Sequence, residues 1–134
     1  MADLNRSGRS MMNNEELIRH AQSAAVNFQS SEDCHAGSVG AAILAEDGNI
    51  YTGLCIDVPS GMGFCAEHSA VAEMLKKKIS KISCVVAANS NGKILAPCGR
   101  CREFMIQING SNREAEVIVG PENRVSLGSL LPRP

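Results

Sequence analysis

The sequence predicts an α/β fold with a mixed sheet whose faces are covered by helices. Its helix-like and strand-like segments follow one another in the order α-β-β-α-β-α-β, and such an order implies one sheet with helices packed on it. The chain has 134 residues, of which 44% are hydrophobic. That is enough to bury a core in one domain and leaves no room for a second. Residues 1–13, rich in Asn, Ser, Arg and Gly, are expected to form a disordered leader before a single domain at residues 14–134.

The first part of this domain predicts a helix followed by a hairpin. Apolar residues recur at three-and-four spacing over residues 14–28, which is typical of a helix with one buried face. Asn13 or Asn14 can cap its N-terminus. Two strands joined by a short turn that contains Asp47-Gly48 are expected to pair antiparallel, because Asp-Gly favours tight hairpin turns. The loop before them and the two strands are predicted at residues 30–37, 38–45 and 49–56.

The second part of the domain alternates helices with strands. A segment containing Gly and Pro leads into one helix, and a second helix begins directly at a cysteine. Cys84 lies within an apolar run, where it is expected to fill the core as a small hydrophobic residue. The expected elements are a helix at 65–78, a strand at 82–88, a short run at 93–96, a helix from Cys98, a strand at 115–119, and a last strand or helical turn within 124–131.

Three cysteines and one glutamate form the most informative pattern of the chain. Cys-Ala-Glu at residues 65–67 is followed, 33 residues after its cysteine, by the Cys-Gly-Arg-Cys of residues 98–101. Zinc is held tetrahedrally by thiolate and imidazole groups, and a catalytic site has three protein ligands, so that the fourth position can carry water. The predicted zinc ligands are Cys65, Cys98 and Cys101. Glu67 lies close to the metal without being needed as a ligand, so it is free to carry protons.

Other interpretations of the cysteines remain open at this stage. The six cysteines could form a disulfide framework, although that is typical of small secreted domains, and the pair at 98–101 could be a redox motif. The zinc could also be purely structural, with Glu67 as a carboxylate at the start of a helix. Closed structural sites normally have four protein ligands, however, which favours a catalytic site here.

The two motifs resemble the cytidine deaminase superfamily in its three-cysteine form, in which a non-ligating Glu and a downstream Pro-Cys-x-x-Cys accompany the first ligand. The resemblance covers residues 14–132 and includes Val-Gly-Ala-Ala at 39–42, Thr-Gly at 52–53 and Leu-Leu-Pro at 130–132. It implies a three-layer α/β/α fold with a mixed central sheet, and a homotetramer whose active sites borrow residues from neighbouring subunits. It also implies zinc-dependent hydrolytic deamination at C4 of cytosine, with Glu67 carrying protons and the backbone N–H of Ala66 holding the pyrimidine O2.

The chain departs from the superfamily in the segments that would hold the nucleoside. The ribose-binding Thr-Gly-Cys-Asn-Val-Glu is replaced by Thr-Gly-Leu-Cys-Ile-Asp at residues 52–57, so Cys55 stands at the Asn position and Asp57 at the Glu position. The upstream aromatic residue of the family is missing, and Phe28, His35 or Phe64 is expected to replace it.

Two further residues are expected to compensate the charge of the metal centre. Three thiolates and Zn²⁺ sum to −1, which would weaken the metal as a Lewis acid. We expect Arg100 to donate hydrogen bonds to cysteine sulfurs and so to offset this charge. His68 stands where many cytidine deaminases have Arg, and is expected to pack or to form a hydrogen bond rather than to bind the metal.

Composition narrows the class of substrate. A net charge of −1, with one Tyr, three Phe and no Trp, provides neither the basic surface nor the stacking platforms that bind nucleic acid, so a small nucleoside is favoured. No apolar run approaches the roughly 20 residues that span a membrane, and the first residues lack the apolar stretch of a signal peptide. A cytoplasmic protein is therefore expected.

The sequence leaves three candidate functions for this protein. The first is a hydrolase of pyrimidine salvage that deaminates cytidine or deoxycytidine. The second is a deaminase of blasticidin S or of another modified cytosine nucleoside, because Pro-Cys-Gly-Arg-Cys-Arg at residues 97–102 also resembles blasticidin S deaminases. The third is a catalytically idle zinc-binding protein.

Overall fold

The computed structural model describes residues 13–134, so nearly all of the predicted leader lies outside the described residues. The helices in chain order are α1 (Asn14–Ala24), α2 (Ala66–Lys76), α3 (Gly99–Ile108) and the short α4 (Leu127–Leu130). The strands are β1 (Phe28–Ser31), β2 (Cys34–Ala45), β3 (Ile50–Asp57), β4 (Ile82–Ala88), β5 (Glu116–Gly120) and β6 (Asn123–Ser126). No helix of this part of the chain is both long and apolar enough to cross a bilayer.

The long strand β2 organises a mixed sheet. It pairs antiparallel with β3 on one side and with β4 on the other, and its first residues also pair with β1. β4 pairs parallel with β5, which in turn pairs antiparallel with β6. The predicted mixed sheet and the predicted antiparallel hairpin of β2 and β3 are therefore confirmed.

Helices cover both faces of this sheet and complete the three predicted layers. On one face, α1 packs Leu17 and Ala21 against a buried group that includes Cys84, which confirms the core position expected for this cysteine. On the other face, α2 and α3 contribute Met74 and Met105 to a larger core. Since the predicted zinc ligands lie at the beginnings of α2 and α3, the candidate site belongs to this second face.

The first helix is shorter than predicted, and the predicted loop after it is a hairpin. α1 ends at Ala24, and Asn27 adopts a left-handed conformation with φ of +48°, which Asn tolerates better than most residues. Phe28 then begins β1, whose four residues are all exposed. Such a strand has no alternation of buried and exposed residues to reveal it, because it is held mainly by backbone pairing with β2.

The other predicted helices and strands agree with the structure apart from small differences at their ends. Asn13 caps α1 by accepting a hydrogen bond from the backbone N–H of Glu16 at 2.8 Å. The short run at 93–96 is not a strand and forms only an isolated bridge between Ile94 and Ala88. The C-terminal segment contains both of the predicted alternatives, a strand (β6) and a helical turn (α4).

Candidate metal centre and active site

The structure brings the three predicted cysteine ligands together. The sulfur of Cys98 lies 3.4 Å from that of Cys65 and 3.4 Å from that of Cys101, and all three sulfurs lie within 4.8 Å of one another. A tetrahedral zinc ion with Zn–S bonds of about 2.3 Å separates its sulfur ligands by roughly 3.8 Å. The donor set therefore fits zinc in both chemistry and spacing.

The beginnings of α2 and α3 create this cluster. Cys65 is the N-cap residue of α2, Cys98 is the N-cap residue of α3, and Cys101 lies in the first turn of α3. Burial alone would raise the pKa of Cys98, but the backbone N–H groups of Cys101 and Arg100 and the sulfurs of the other two cysteines outweigh it and lower this pKa. The backbone N–H groups at the start of α3 thus favour a thiolate at Cys98.

The other two cysteines show why the cluster suits a cation. Burial, and then the neighbouring sulfur of Cys98, raises the pKa of Cys65. Burial and the negative charge of Glu67 raise the pKa of Cys101 well above the usual thiol range. Crowded negative groups of this kind are stabilised by a divalent cation, because its charge favours the deprotonated thiolates.

Glu67 lies directly beside the sulfur cluster. It occupies the first turn of α2, and only 4% of its surface is exposed. Burial raises the pKa of its carboxyl group. A raised pKa makes a carboxyl group a better proton acceptor, which favours its use as a general base and then as a general acid.

A backbone bridge connects β3 to the metal centre. The N–H and C=O groups of Ile56 exchange hydrogen bonds with those of Phe64, each at 3.0 Å, and Phe64 directly precedes Cys65. A side chain at Gly63 would collide with the carbonyl oxygen of Ile56, so only glycine allows the two segments this close. The bridge therefore places the end of β3 beside the first predicted ligand.

Cys55 and Asp57 lie on the face of β3 that carries the metal centre. Alternate residues of a strand share a face, and Gly53 lies against the backbone of α2 at Ala70. Cys55 is half-buried and packs against the core beneath α2, whereas Asp57 is exposed at the end of the strand. By this alternation, both residues that match the ribose-binding signature lie on the same face of β3 as Gly53.

The predicted aromatic residues occupy different places. Phe64 lies next to Cys65, and its ring stacks loosely on that of His68, with 6.4 Å between the centroids. His35 is opposite Asp57 in the strand pairing, and its Nε2 lies 2.6 Å from Oδ1 of Asn27. Phe28 is about half exposed and is separated from β3 by the intervening β2. Phe64 is therefore the candidate nearest to the cysteine cluster along the chain.

The side chain of His68, rather than that of Arg100, approaches a cysteine sulfur. Its Nδ1 lies 3.6 Å from Sγ of Cys101, and its ring stacks on Phe104 with 4.2 Å between centroids and 13° between planes. Burial and the positive charge of Arg100 lower the pKa of His68. The side chain of Arg100 is exposed, and within residues 13–134 its guanidinium group forms no hydrogen bond to a sulfur atom, whereas its backbone N–H donates to the sulfur of Cys98. Charge compensation by Arg100 stays a prediction.

One residue next to the ligands received no role from the sequence. Arg102 follows Cys101 directly, and its side chain bonds two backbone carbonyl groups, those of Pro97 and Leu130. The only signal in the sequence is its position one helical turn after Cys98, which identifies neither acceptor.

Comparisons with known proteins agree with this geometry. Residues 11–119 match the family model described as the cytidine and deoxycytidylate deaminase zinc-binding region. The chain belongs to this family. It is a zinc-dependent deaminase with the cytidine deaminase fold.

Individual relatives show how far the similarity of this deaminase extends. It is 33% identical over 96 residues to the cytidine deaminase of Mycobacterium tuberculosis. The aligned residues make up 71% of this chain and 70% of that protein. It is also 33% identical over 100 residues to a probable cytidine deaminase of Dictyostelium discoideum, covering 72% and 67% of the two chains. The crystal structure of the Mycobacterium leprae cytidine deaminase superposes with a TM-score of 0.76 at 27% identity, covering 91% of this chain and 99% of that one.

Proposed function

We propose that this deaminase hydrolyses cytidine and deoxycytidine to uridine and deoxyuridine, with release of ammonia. The observation that carries the proposal is the buried Glu67 beside three converging cysteine sulfurs. A buried carboxyl group that lies next to a three-ligand metal centre, without being needed as a ligand, is suited to the proton transfer that hydrolysis requires. The names of the relatives favour a cytosine nucleoside as the substrate.

The chain's own residues provide the parts of the reaction. Cys65, Cys98 and Cys101 would hold zinc, which when bound lowers the pKa of water and so supplies the hydrolytic nucleophile for C4. Glu67 would accept one proton of that water and deliver it to N3 of the pyrimidine. It would then take the remaining proton from the hydroxyl group added at C4 and pass it to the amino group, which leaves as ammonia while the C4 carbonyl forms. The raised pKa of its buried carboxyl group suits both directions of transfer.

The start of α2 is suited to orient the base. Ala66 is the first residue of this helix, and the N–H groups of a first turn have no partner within the helix. Its N–H is therefore free to donate a hydrogen bond to the pyrimidine O2. Phe64, His35 and Phe28 remain the candidates for the aromatic wall of the base pocket.

The sugar would be held from the end of β3. Asp57 is exposed and borders a groove of about 380 Å³ that His35 also lines. Its carboxylate could accept a hydrogen bond from a sugar hydroxyl group. Cys55 would contribute packing beneath the sugar rather than the amide contact that Asn provides in the family signature.

We also propose the homotetrameric assembly and the cytoplasmic location expected from the sequence. The resemblance to the small cytidine deaminases supports the assembly, and the exposed Met62 and Val26, at 78% and 55%, are apolar side chains that a subunit contact could cover. Light scattering coupled to size-exclusion chromatography would test it, and a mass of about 14.2 kDa, that of one chain, would contradict it.

The activity is tested by offering four substrates in parallel to the zinc-loaded protein. Ammonia release and the ultraviolet change would be followed with cytidine, deoxycytidine, cytosine and blasticidin S, and Glu67→Ala would serve as the control. Turnover of the nucleosides that is lost in the control would support the proposal. Turnover of blasticidin S alone would replace it by the second function, and zinc binding without any turnover would favour the idle protein.

A further inference from the structure

Arg102 connects the ligand-bearing end of α3 to the C-terminal turn of the chain. Its Nε donates a hydrogen bond to the carbonyl oxygen of Pro97 at 2.7 Å, and its Nη1 donates to the carbonyl oxygen of Leu130 at 3.0 Å. Its backbone N–H also donates to the carbonyl oxygen of Cys98 at 3.0 Å. Arg102 thus binds the carbonyl groups of the peptides before and after Cys98 and a third carbonyl group that is distant in sequence.

The distant carbonyl group belongs to a well-anchored element. Leu127, the first residue of α4, is fully buried, and its backbone N–H donates to the carbonyl oxygen of Ala115 at 2.8 Å. Ser126 caps the same turn by accepting a hydrogen bond from the N–H of Ser129. Leu130 lies at the end of α4, where carbonyl groups have no partner within the helix. α4 can therefore serve as a fixed support.

An arginine side chain is suited to binding the carbonyl groups of Pro97 and Leu130 at the same time. The guanidinium group is a planar fork of donors and reaches two acceptors at once, whereas a lysine ammonium group acts as a point charge on a flexible stem. The side chain of Arg102 is partly buried, so loss of its two bonds would leave carbonyl groups without partners where water has limited access. The position of Pro97, directly before Cys98, would then be less well determined.

We propose that Arg102 is a positioning residue of the metal centre, which holds Cys98 and Cys101 in place by fixing the start of α3 to the C-terminal turn. This inference rests on the proposed zinc ligands. It assigns α4, which contributes no predicted ligand, a role in metal binding.

The first experiment measures zinc affinity by competition with a chromogenic chelator. Residues that orient metal ligands typically contribute about 10- to 100-fold in affinity, so Arg102→Ala should weaken zinc binding by about that factor. Arg102→Lys should lie between this variant and the unaltered protein, because one ammonium group cannot bridge both carbonyl groups. Arg19→Ala is the matched control, since Arg19 is exposed on α1 and its ion pair among the described residues is with the exposed Glu15.

A spectroscopic measurement separates positioning from general stability. In the Co²⁺-loaded protein, the thiolate-to-metal charge-transfer band should shift or weaken in both Arg102 variants and stay unchanged in Arg19→Ala. Circular dichroism would verify folding, and Arg102→Lys decides the question if Arg102→Ala does not fold. Zinc affinities within twofold of the unaltered protein together with unchanged cobalt spectra would overturn the inference.

Truncation tests the support supplied by α4. Removal of residues 130–134 deletes the acceptor at Leu130, whereas removal of residues 132–134 retains it and is the control. If the contact carries the effect, Arg102→Ala should reduce zinc affinity much less in the chain shortened before Leu130 than in the full chain. Equal losses in both backgrounds would contradict the coupling. A full chain that binds no zinc would instead refute the proposed function on which the inference rests.

Discussion

The sulfur of Cys55 accepts a hydrogen bond from the backbone N–H of Val39, with 3.3 Å between nitrogen and sulfur. The hydroxyl oxygen of Ser38 lies 3.1 Å from the same sulfur. Both partners lie where the pairing of β2 with β3 shifts register, between Ala36 and Gly40. The thiol therefore stabilises an irregular part of the sheet, and the carboxylate of Asp57, two residues further along β3, is left as the polar group available to a sugar.

Substitution of Asp57 should affect binding more than chemistry. Asp57→Ala should raise KM for cytidine by about 10- to 100-fold with a smaller change in kcat, because a hydrogen bond to a charged group contributes roughly 1.5–3 kcal/mol. Steady-state kinetics measure both constants. Asp33→Ala removes another carboxylate that lines the same groove and should leave KM nearly unchanged. Equal effects of the two substitutions would indicate general electrostatics rather than a sugar contact.

The two contacts of His68 can be separated by the choice of substitution. His68→Phe retains a ring that stacks on Phe104 but removes the nitrogen that faces the sulfur of Cys101. We expect zinc to dissociate about tenfold faster from this variant, since groups close to metal ligands tune affinity on that scale. Zinc release to an excess of chelator provides the measurement. A normal rate for His68→Phe and a fast rate for His68→Ala would show that the ring acts only by packing.

Asn112 should be important for stability although it is remote from the chemistry. It is fully buried, and its side chain accepts a hydrogen bond from the N–H of Ile82 and donates to the carbonyl oxygens of Ser80 and Met105. Asn112→Ala leaves these groups without partners, which should lower the free energy of unfolding by roughly 2–4 kcal/mol.

Urea unfolding of the zinc-loaded protein would measure this loss. The exposed Asn91 provides the control, because Asn91→Ala should change the free energy of unfolding by no more than about 0.5 kcal/mol. A similar, small effect of both substitutions would contradict the role assigned to Asn112.

Cys84 should make the unfolding free energy depend on alkaline pH. Burial raises its pKa from 9.0 to about 11 in the folded protein. Below pH 9 both the folded and the unfolded chain hold the proton, so Cys84 contributes no pH dependence. Between pH 9 and 11 the unfolded chain releases it more readily, and unfolding should become easier by up to about 2–3 kcal/mol.

Comparison with Cys84→Ala isolates this contribution, because other groups titrate equally in both proteins. The difference in free energy of unfolding between the two should stay constant up to pH 9 and then fall as the pH rises toward 11. A constant difference over the whole range would mean that the thiol is not shielded from water. Alkylation of Cys84 in the folded protein at pH 8 would lead to the same conclusion.

Local patterns explain why much of the fold could be predicted. The strand at residues 82–88 was predicted with the ends that β4 has, because its apolar residues form a dense run that is buried, with only Ser83 half-buried. The hairpin of β2 and β3 followed from the Asp47-Gly48 turn. In contrast, β1 is held by backbone pairing and exposes its four side chains, so no pattern of hydrophobic residues marks it.

By itself the sequence determined the chemistry of this protein. Cysteines at two helix starts and a glutamate beside one of them predict a metal-dependent hydrolytic centre, because ligand type and spacing are local properties of the chain. Only the tertiary structure decided which groups support that centre. The bridge between Ile56 and Phe64, the contact of His68 with Cys101 and the bonds of Arg102 to Pro97 and Leu130 involve backbone groups or distant partners, and their geometry arises only when the sheet and helices pack.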